Sequence, residues 1–183
     1  DSEIDPNEIK EHHSLSLRLD LRSNGVDGIL GWRARRHAGI IDVDKPNQYD
    51  PADFWEPVAA RGSGIILNPD DFYILATREA VTVPPDYAAE MVAYDTLVGE
   101  FRVHYAGFFD PGFGWDPQNP LAGSRGVLEV RSHDVPFLLE HEQIIGRIRY
   151  ERLTARPDKI YGTAIGSHYQ GQGLKLSKQF RVA

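Results

Sequence analysis

Short runs of apolar residues, separated by glycine and proline turns, follow one another along most of the chain. Leucines alternate strictly with polar residues over 15–21, which is the pattern of a half-buried β-strand. Further short apolar or alternating runs predict strands at 29–32, 38–43, 64–67, 72–77, 101–105, 126–131, 135–139 and 144–153. A short helix is predicted over 87–94, with Asp86 as its N-cap. Many short strands with one or two short helices indicate a mainly β fold, either a sandwich or a barrel.

Composition divides the chain into three parts. Residues 1–13 are polar and charged and predict an N-terminal arm or linker. Residues 14–155 contain the predicted strands, and we expect one β domain there, because 183 residues with 41% hydrophobic content suit a single core. Residues 156–183 are rich in Gly and Gln and basic at their end, so they predict a C-terminal arm. This arm would either reach a phosphate with a basic side chain such as Lys175 or be a solvated, flexible terminus.

Charge and residue usage exclude several classes of function. No run approaches the roughly 20 apolar residues that a membrane-spanning helix needs. The net charge of −7 disfavours binding to a nucleic acid polymer. Cysteine is absent, which excludes disulfides and thiolate-bound zinc and is compatible with a cytoplasmic location. The seven histidines show no convincing ligand spacing, so no metal site formed by the protein is predicted. Because the chain begins with Asp1 rather than Met, we expect a fragment or a processed chain.

One carboxylate, Glu129, interrupts the apolar strand pattern of 126–131. Successive side chains of a strand point to opposite faces, so Glu129 shares a face with Val127 and Arg131. A carboxylate on a buried strand is unfavourable unless it is paired or used in chemistry. Glu129 is therefore a candidate general base or acid. The alternative is a glutamate on an edge strand that points to water.

A tight turn, Asp110-Pro111-Gly112, follows the apolar segment that ends at Phe109. Such a turn exposes backbone donors and acceptors, and the Asp110 carboxylate can accept hydrogen bonds from a ligand. The alternative is an ordinary turn with no role in binding.

Three motifs resemble those of the dCTP deaminase branch of the dUTPase-like superfamily. They are D-P-G-[aromatic] at 110–113, V-L-E at 127–129, and a run from Ile145-Gly146 to Leu153 that reads I-G-R-I-R-Y-E-R-L. Within this family, the chain resembles the C-terminal half of the long alphaproteobacterial form, which contains two dUTPase-like halves. The resemblance implies the β-clip fold of the family, a distorted jelly roll.

The resemblance also implies an activity. The family hydrolyses dCTP to dUTP and ammonia in pyrimidine deoxynucleotide metabolism, as a hydrolase acting on the C–N bond of a cyclic amidine. Glu129 is then the catalytic residue, no zinc is needed, and Mg²⁺ is bound with the triphosphate. Two alternatives stay open: dUTP pyrophosphatase activity, alone or together with deamination, and a non-catalytic structural or regulatory lobe of a two-lobed deaminase.

Seven residues match family positions that bind the nucleotide. Three of them stand in the sugar and base pocket: Ala106, Phe108 and Asp110. Four stand in the C-terminal arm, which in relatives closes as a lid over the triphosphate: Tyr161, His168, Tyr169 and Gln172. His168 occupies a position where relatives usually have Lys, so a constant positive charge is replaced by a titratable one.

One family motif is missing. Relatives carry R-S-S-x-x-R-x-G just before the sugar and base pocket, and its serines and arginines hold the phosphates. Here the matching stretch, 92–99, reads V-A-Y-D-T-L-V-G and contains no arginine or serine. Because sites in this superfamily are assembled between subunits, we expect a trimer or pseudo-trimer and a companion N-terminal dUTPase-like lobe that supplies these donors.

Overall fold

The computed structural model describes most of the predicted β domain and the end of the C-terminal arm. The described ranges are 14–22, 28–59, 64–92, 101–103 (backbone), 107–119, 122–132, 134–162, 171 and 173–181. In these ranges no helix is long and apolar enough to cross a membrane.

Within the described ranges the chain forms short strands and a single helical turn, as a mainly β fold requires. The elements are β1 (Leu15–Arg18), β2 (Gly31–Ala34), α1 (Pro51–Phe54), β3 (Trp55–Val58), β4 (Gly64–Leu67), β5 (Phe72–Val81), β6 (Tyr87–Val92), β7 (Phe101–Val103), β8 (Phe108–Phe109), β9 (Ser124–Ser132), β10 (Phe137–Glu140) and β11 (Ile144–Arg152).

These strands form three antiparallel sheets. One has the order β1-β11-β6-β8, the second has the order β3-β2-β5-β9-β7, and β10 pairs with β4 in the third. The main core collects apolar side chains from all three sheets, among them Leu17, Leu75, Leu139 and Ile148, each at most 1% exposed. The predicted mainly β class is therefore confirmed, and the strand alternation that indicated it is the alternation of core and outer faces.

The five-stranded sheet is covered on both faces. The main core lies on one face, and a second apolar cluster on the other face contains Ile74, Leu176 and Phe180. The C-terminal segment 173–181 supplies two of these three residues, and it is joined to the loop before α1 by backbone hydrogen bonds. In one of them the N–H of Asn47 donates to the carbonyl of Lys178 at 2.8 Å. Segment 173–181 is thus a packed part of the domain.

The helix predicted over 87–94 is wrong for residues 87–92, and residues 93 and 94 lie outside the described residues. Residues 87–92 form β6, which pairs with β11 so that Met91 lies opposite Ile148. Ala89 and Met91 are buried and alternate with half-buried neighbours, as a strand requires. The predicted N-cap, Asp86, instead accepts a backbone hydrogen bond from Leu153 at 3.0 Å. Pairing with a distant strand has overridden a local preference for helix, which is weak by comparison.

The strand predicted over 38–43 is also wrong. Ile40 is 95% exposed and Val43 is 68% exposed, so these apolar residues have no sheet or core to pack against. The one helical turn in the described residues, α1, instead begins at Pro51, and the side chain of Asp50 before it accepts a hydrogen bond from the N–H of Ala52. An N-cap residue followed by proline is a signal for the start of a helix. It was missed here because the surrounding sequence is rich in residues typical of loops.

Candidate functional site

A pocket of about 570 Å³ is lined by residues of both larger sheets. The five-stranded sheet contributes Trp55, Phe72, Ile74, Val127, Leu128 and Glu129. The four-stranded sheet and the adjoining turn contribute Met91, Gly107, Phe108, Phe109, Asp110 and Phe113. Two further segments complete the lining, and they contribute Tyr161, Lys175, Leu176 and Ser177. The lining is largely apolar and aromatic with a few polar groups, which is the composition of a small-molecule site.

Glu129 lies on β9 and points to the face that carries the second apolar cluster. Its chain neighbours Leu128 and Val130 are 1% exposed in the main core, and this burial fixes the direction of the glutamate between them. Across the sheet it lies opposite Ile74. Because β9 is hydrogen-bonded to β5 on one side and to β7 on the other, Glu129 is not on an edge strand.

The Glu129 side chain is nevertheless exposed in the single chain. In the part of the chain that the structure describes, its carboxylate makes no hydrogen bond or ion pair. The prediction that Glu129 lies on an edge strand is therefore wrong, because β9 has a strand on each side. The prediction that its carboxylate is buried is also wrong, because the side chain is exposed. A carboxylate with unused acceptor atoms on a pocket wall can take up or deliver a proton at a bound molecule.

The Asp110-Pro111-Gly112 turn is fixed by backbone hydrogen bonds on both sides. The N–H of Gly112 donates to the carbonyl of Val83 at 2.9 Å, and the N–H of Tyr161 donates to the carbonyl of Pro111 at 2.8 Å. The predicted exposed donors are thus already used inside the fold. The side chain of Asp110, which is exposed and lines the pocket, is the polar group that the turn presents.

A row of aromatic rings connects this turn to the start of the C-terminal arm. The ring centroids of Phe109 and Phe113 are 5.0 Å apart, and those of Phe113 and Tyr161 are 5.9 Å apart. Phe108, the neighbour of Phe109 on β8, points outward and is 79% exposed. Aromatic walls of this kind suit the planar base and the apolar face of the sugar in a nucleoside.

Gly112 is the residue on which the turn depends most. It has φ +100°, and a Cβ there would lie 2.5 Å from the carbonyl oxygen of Tyr161. We expect Gly112→Ala to lower the free energy of unfolding by about 2–3 kcal/mol or more, because it adds backbone strain and displaces Tyr161. Denaturant unfolding measures this loss.

Gly28→Ala is the matched control for this prediction. Gly28 has φ +76°, but nothing lies within 4 Å of a Cβ built on it. It therefore reports the cost of the positive φ alone, about 1 kcal/mol. Equal losses for the two variants would contradict the role of the contact with Tyr161.

The structure brings together four of the eight residues predicted for the site: Phe108, Asp110, Glu129 and Tyr161. The other four, Ala106, His168, Tyr169 and Gln172, lie outside the described residues, as does most of the stretch 92–99. In the described part of the chain, no cluster of three or more His, Cys, Asp or Glu side chains could hold a metal ion. The absence of zinc stays a prediction.

Trp55 and Phe72 were not among the predicted site residues. Their ring centroids are 6.0 Å apart on the pocket wall, and the indole N–H of Trp55 is buried without an acceptor in the described residues. Nothing local in the sequence links residues 55 and 72 to Glu129. One sequence signal could have identified Phe72. It lies two residues before Ile74 on β5 and so shares a face with Ile74, the residue opposite Glu129.

Comparison with known proteins identifies the class of this protein. Residues 2–180 match the family described as 2'-deoxycytidine 5'-triphosphate deaminase (DCD), C-terminal domain. The chain belongs to this family. The match covers nearly the whole chain and confirms the resemblance found in the motifs around Asp110 and Glu129.

Named relatives and a solved structure agree with this assignment. A protein of Halobacterium salinarum named dCTP deaminase, dUMP-forming, is 35% identical over 170 residues, which are 89% of this chain and 82% of that protein. A protein of Parafrankia with the same name is 34% identical over 177 residues, 90% of this chain and 84% of the relative. The crystal structure of 2'-deoxycytidine 5'-triphosphate deaminase from Agrobacterium tumefaciens matches with a TM-score of 0.74 and 54% identity. That match covers 86% of this chain and 45% of the solved chain, so this chain spans less than half the length of the Agrobacterium protein.

Proposed function

We propose that this chain provides a pocket that hydrolyses dCTP to dUTP and ammonia. The observation that carries the proposal is that Phe108, Asp110, Glu129 and Tyr161, from three separate parts of the sequence, line one pocket. Membership of the dCTP deaminase family supplies the substrate class.

In the proposed reaction, Glu129 moves protons between water and the cytosine ring. The carboxylate accepts a proton from water, and the oxygen of that water forms a bond to C4 of the base. Glu129 delivers this proton to N3, then takes the remaining proton from the hydroxyl group now on C4 and passes it to the exocyclic nitrogen, so that the C4–N bond breaks and ammonia leaves. Water and dCTP are consumed and dUTP and ammonia are formed, so the reaction is balanced without an oxidant or a second substrate.

Recognition of the deoxyribose is assigned to the turn and the aromatic row. The exposed Asp110 carboxylate accepts a hydrogen bond from the sugar 3′-hydroxyl. An aromatic side chain beside the sugar, such as Phe113 or Tyr161, leaves no room for a 2′-hydroxyl and so selects deoxyribose. Ala106, His168, Tyr169 and Gln172 are proposed as further nucleotide contacts on their family positions alone.

The phosphate donors that 92–99 lacks are proposed to come from a companion dUTPase-like lobe in a trimeric or pseudo-trimeric, cytoplasmic assembly. This chain spans 45% of the Agrobacterium deaminase, which leaves room in that protein for a second lobe of similar size. Mg²⁺ is proposed to bind with the nucleotide, where it would neutralise phosphate charge, and not in a cage of protein ligands. The pocket fits this arrangement, because the two carboxylates among its described lining residues are too few to form such a cage.

A second candidate activity is the formation of dUMP. Relatives named dCTP deaminase, dUMP-forming, favour it. This activity adds hydrolysis between the α- and β-phosphates to the deamination, and it releases pyrophosphate. The two candidates share Glu129 and differ in their final nucleotide.

The test uses a two-lobed protein, in which this chain replaces the matching 45% of the Agrobacterium deaminase. Incubation with dCTP is expected to release one ammonia per uracil nucleotide formed, and ion-exchange chromatography then separates dUTP from dUMP. Absence of ammonia would overturn the proposed function. The 183-residue chain alone is expected to turn over very slowly, and rapid turnover by it would contradict the companion lobe.

A further inference from the structure

The pocket lining contains both acidic and basic side chains. Asp110 and Glu129 are acidic, and Lys175 is the one cation among the lining residues that the structure describes. A nucleotide that enters this pocket brings additional negative charges close to two carboxylates, on a chain whose net charge is −7. Such a ligand is repelled unless a cation lies within reach of its phosphates.

The fold holds Lys175 at the pocket before any ligand binds. Its neighbour Leu176 is 9% exposed, and Leu174 packs partly buried against the same cluster, so Lys175 alternates to the outside between two inward side chains. Further along, the ring of Phe180 packs 6.0 Å from that of Trp55, centroid to centroid. A contact that is positioned in advance loses little conformational freedom on binding.

The segment carrying Lys175 is also fixed by its backbone. The N–H of Tyr49 donates to the carbonyl of Gln179 at 3.1 Å, and the N–H of Arg181 donates back to the carbonyl of Tyr49 at 2.9 Å. Ser177, which follows Lys175 on the same outward side, also lines the pocket and brings a hydroxyl donor. An ammonium and a hydroxyl are both phosphate-binding groups.

We propose that Lys175, together with Ser177, binds a phosphate group of the nucleotide within this chain's own pocket. This inference rests on the proposed function, since it takes the ligand to be a deoxycytidine nucleotide. The base lies toward Glu129 and the phosphates lie toward Lys175. A companion lobe adds further phosphate donors to this contact. The pocket of this chain already distinguishes phosphorylated from unphosphorylated nucleosides when that lobe is absent.

The test compares binding of dCTP and deoxycytidine to the 183-residue chain by equilibrium dialysis. Lys175→Met removes the charge but keeps the apolar stem of the side chain. It is expected to weaken dCTP binding by about 10- to 100-fold, the value of a charge-assisted hydrogen bond, and to leave deoxycytidine binding unchanged. High salt should reduce the preference of the unmodified chain for dCTP, because the contact is exposed to solvent.

Lys178→Met is the matched control. Lys178 is an exposed lysine three residues along the same segment, and it does not line the pocket. Its replacement is expected to change neither affinity. The proposal is overturned if Lys175→Met and Lys178→Met bind dCTP equally, if Lys175→Met loses deoxycytidine as well, or if the unmodified chain shows no preference for dCTP.

This binding experiment is independent of turnover. If the preference for dCTP depends on Lys175 but the two-lobed protein releases no ammonia, the proposed deamination fails and the phosphate contact stands. If ammonia is released but Lys175→Met binds dCTP normally, the phosphate contact fails and the deamination stands.

Discussion

Glu129→Gln in the two-lobed protein lowers dCTP turnover by at least about 10²-fold, while nucleotide binding is retained. Glutamine has nearly the same size and can still form hydrogen bonds, but it cannot accept a proton from water. The strand is not disturbed, because Leu128 and Val130 in the core fix the backbone on both sides of residue 129. Steady-state ammonia release gives kcat, and equilibrium dialysis gives the affinity for dCTP.

Glu140→Gln is the control for this variant. Glu140 is also an exposed glutamate on a strand, β10, but it does not line the pocket. Its replacement is expected to leave kcat unchanged. A Glu129→Gln protein with near-normal kcat would rule out Glu129 as the proton-transfer group, and a loss of binding equal to the loss of kcat would indicate a binding role instead.

Phe180→Ala destabilises the chain by about 3 kcal/mol and weakens nucleotide binding at the same time. Phe180 is 5% exposed and its ring contacts those of Tyr49, Phe54 and Trp55, with centroids 5.6 Å from Phe54 and 6.0 Å from Trp55. Its removal leaves a cavity in the cluster that holds the C-terminal segment on the sheet. Denaturant unfolding measures the first effect, and dialysis with dCTP measures the second.

Ile40→Ala separates this effect from a general loss of apolar surface. Ile40 is an apolar residue that is 95% exposed, so its truncation leaves no cavity. Its free energy of unfolding is expected to stay within about 0.5 kcal/mol of the unmodified chain. If Phe180→Ala behaves in the same way, the C-terminal segment is not a stabilising part of the domain.

Alternation along β9 made Glu129 predictable. Because a strand has a period of two residues, burial of Leu128 and Val130 determines that Glu129 lies on the opposite face with Val127 and Arg131. The position of Asp110 followed from a turn motif, which is local in the same way. Such inferences need only the neighbours of a residue in the sequence.

Features set by distant parts of the chain were not predictable in this way. The sequence of β6, Y-A-A-E-M-V, contains Ala, Glu and Met, which favour helix. Its strand form depends on pairing with β11, whose residues lie about 60 positions later in the chain. Trp55 and Phe72 meet Glu129 through the order of strands in the sheet. The docking of Phe180 on residues near 50 is likewise non-local, and a Gly-rich, basic arm gives little sign of it.

Deamination in the pocket containing Glu129 requires that water attacks C4 of the cytosine of dCTP. The most direct test is to run the two-lobed protein with dCTP in ¹⁸O-labelled water and to locate the label in the product by mass spectrometry. One ¹⁸O is predicted in the uracil base, and its appearance is predicted to depend on Glu129. Label confined to phosphate, with cytosine intact, or base labelling that persists in Glu129→Gln, would contradict the claim.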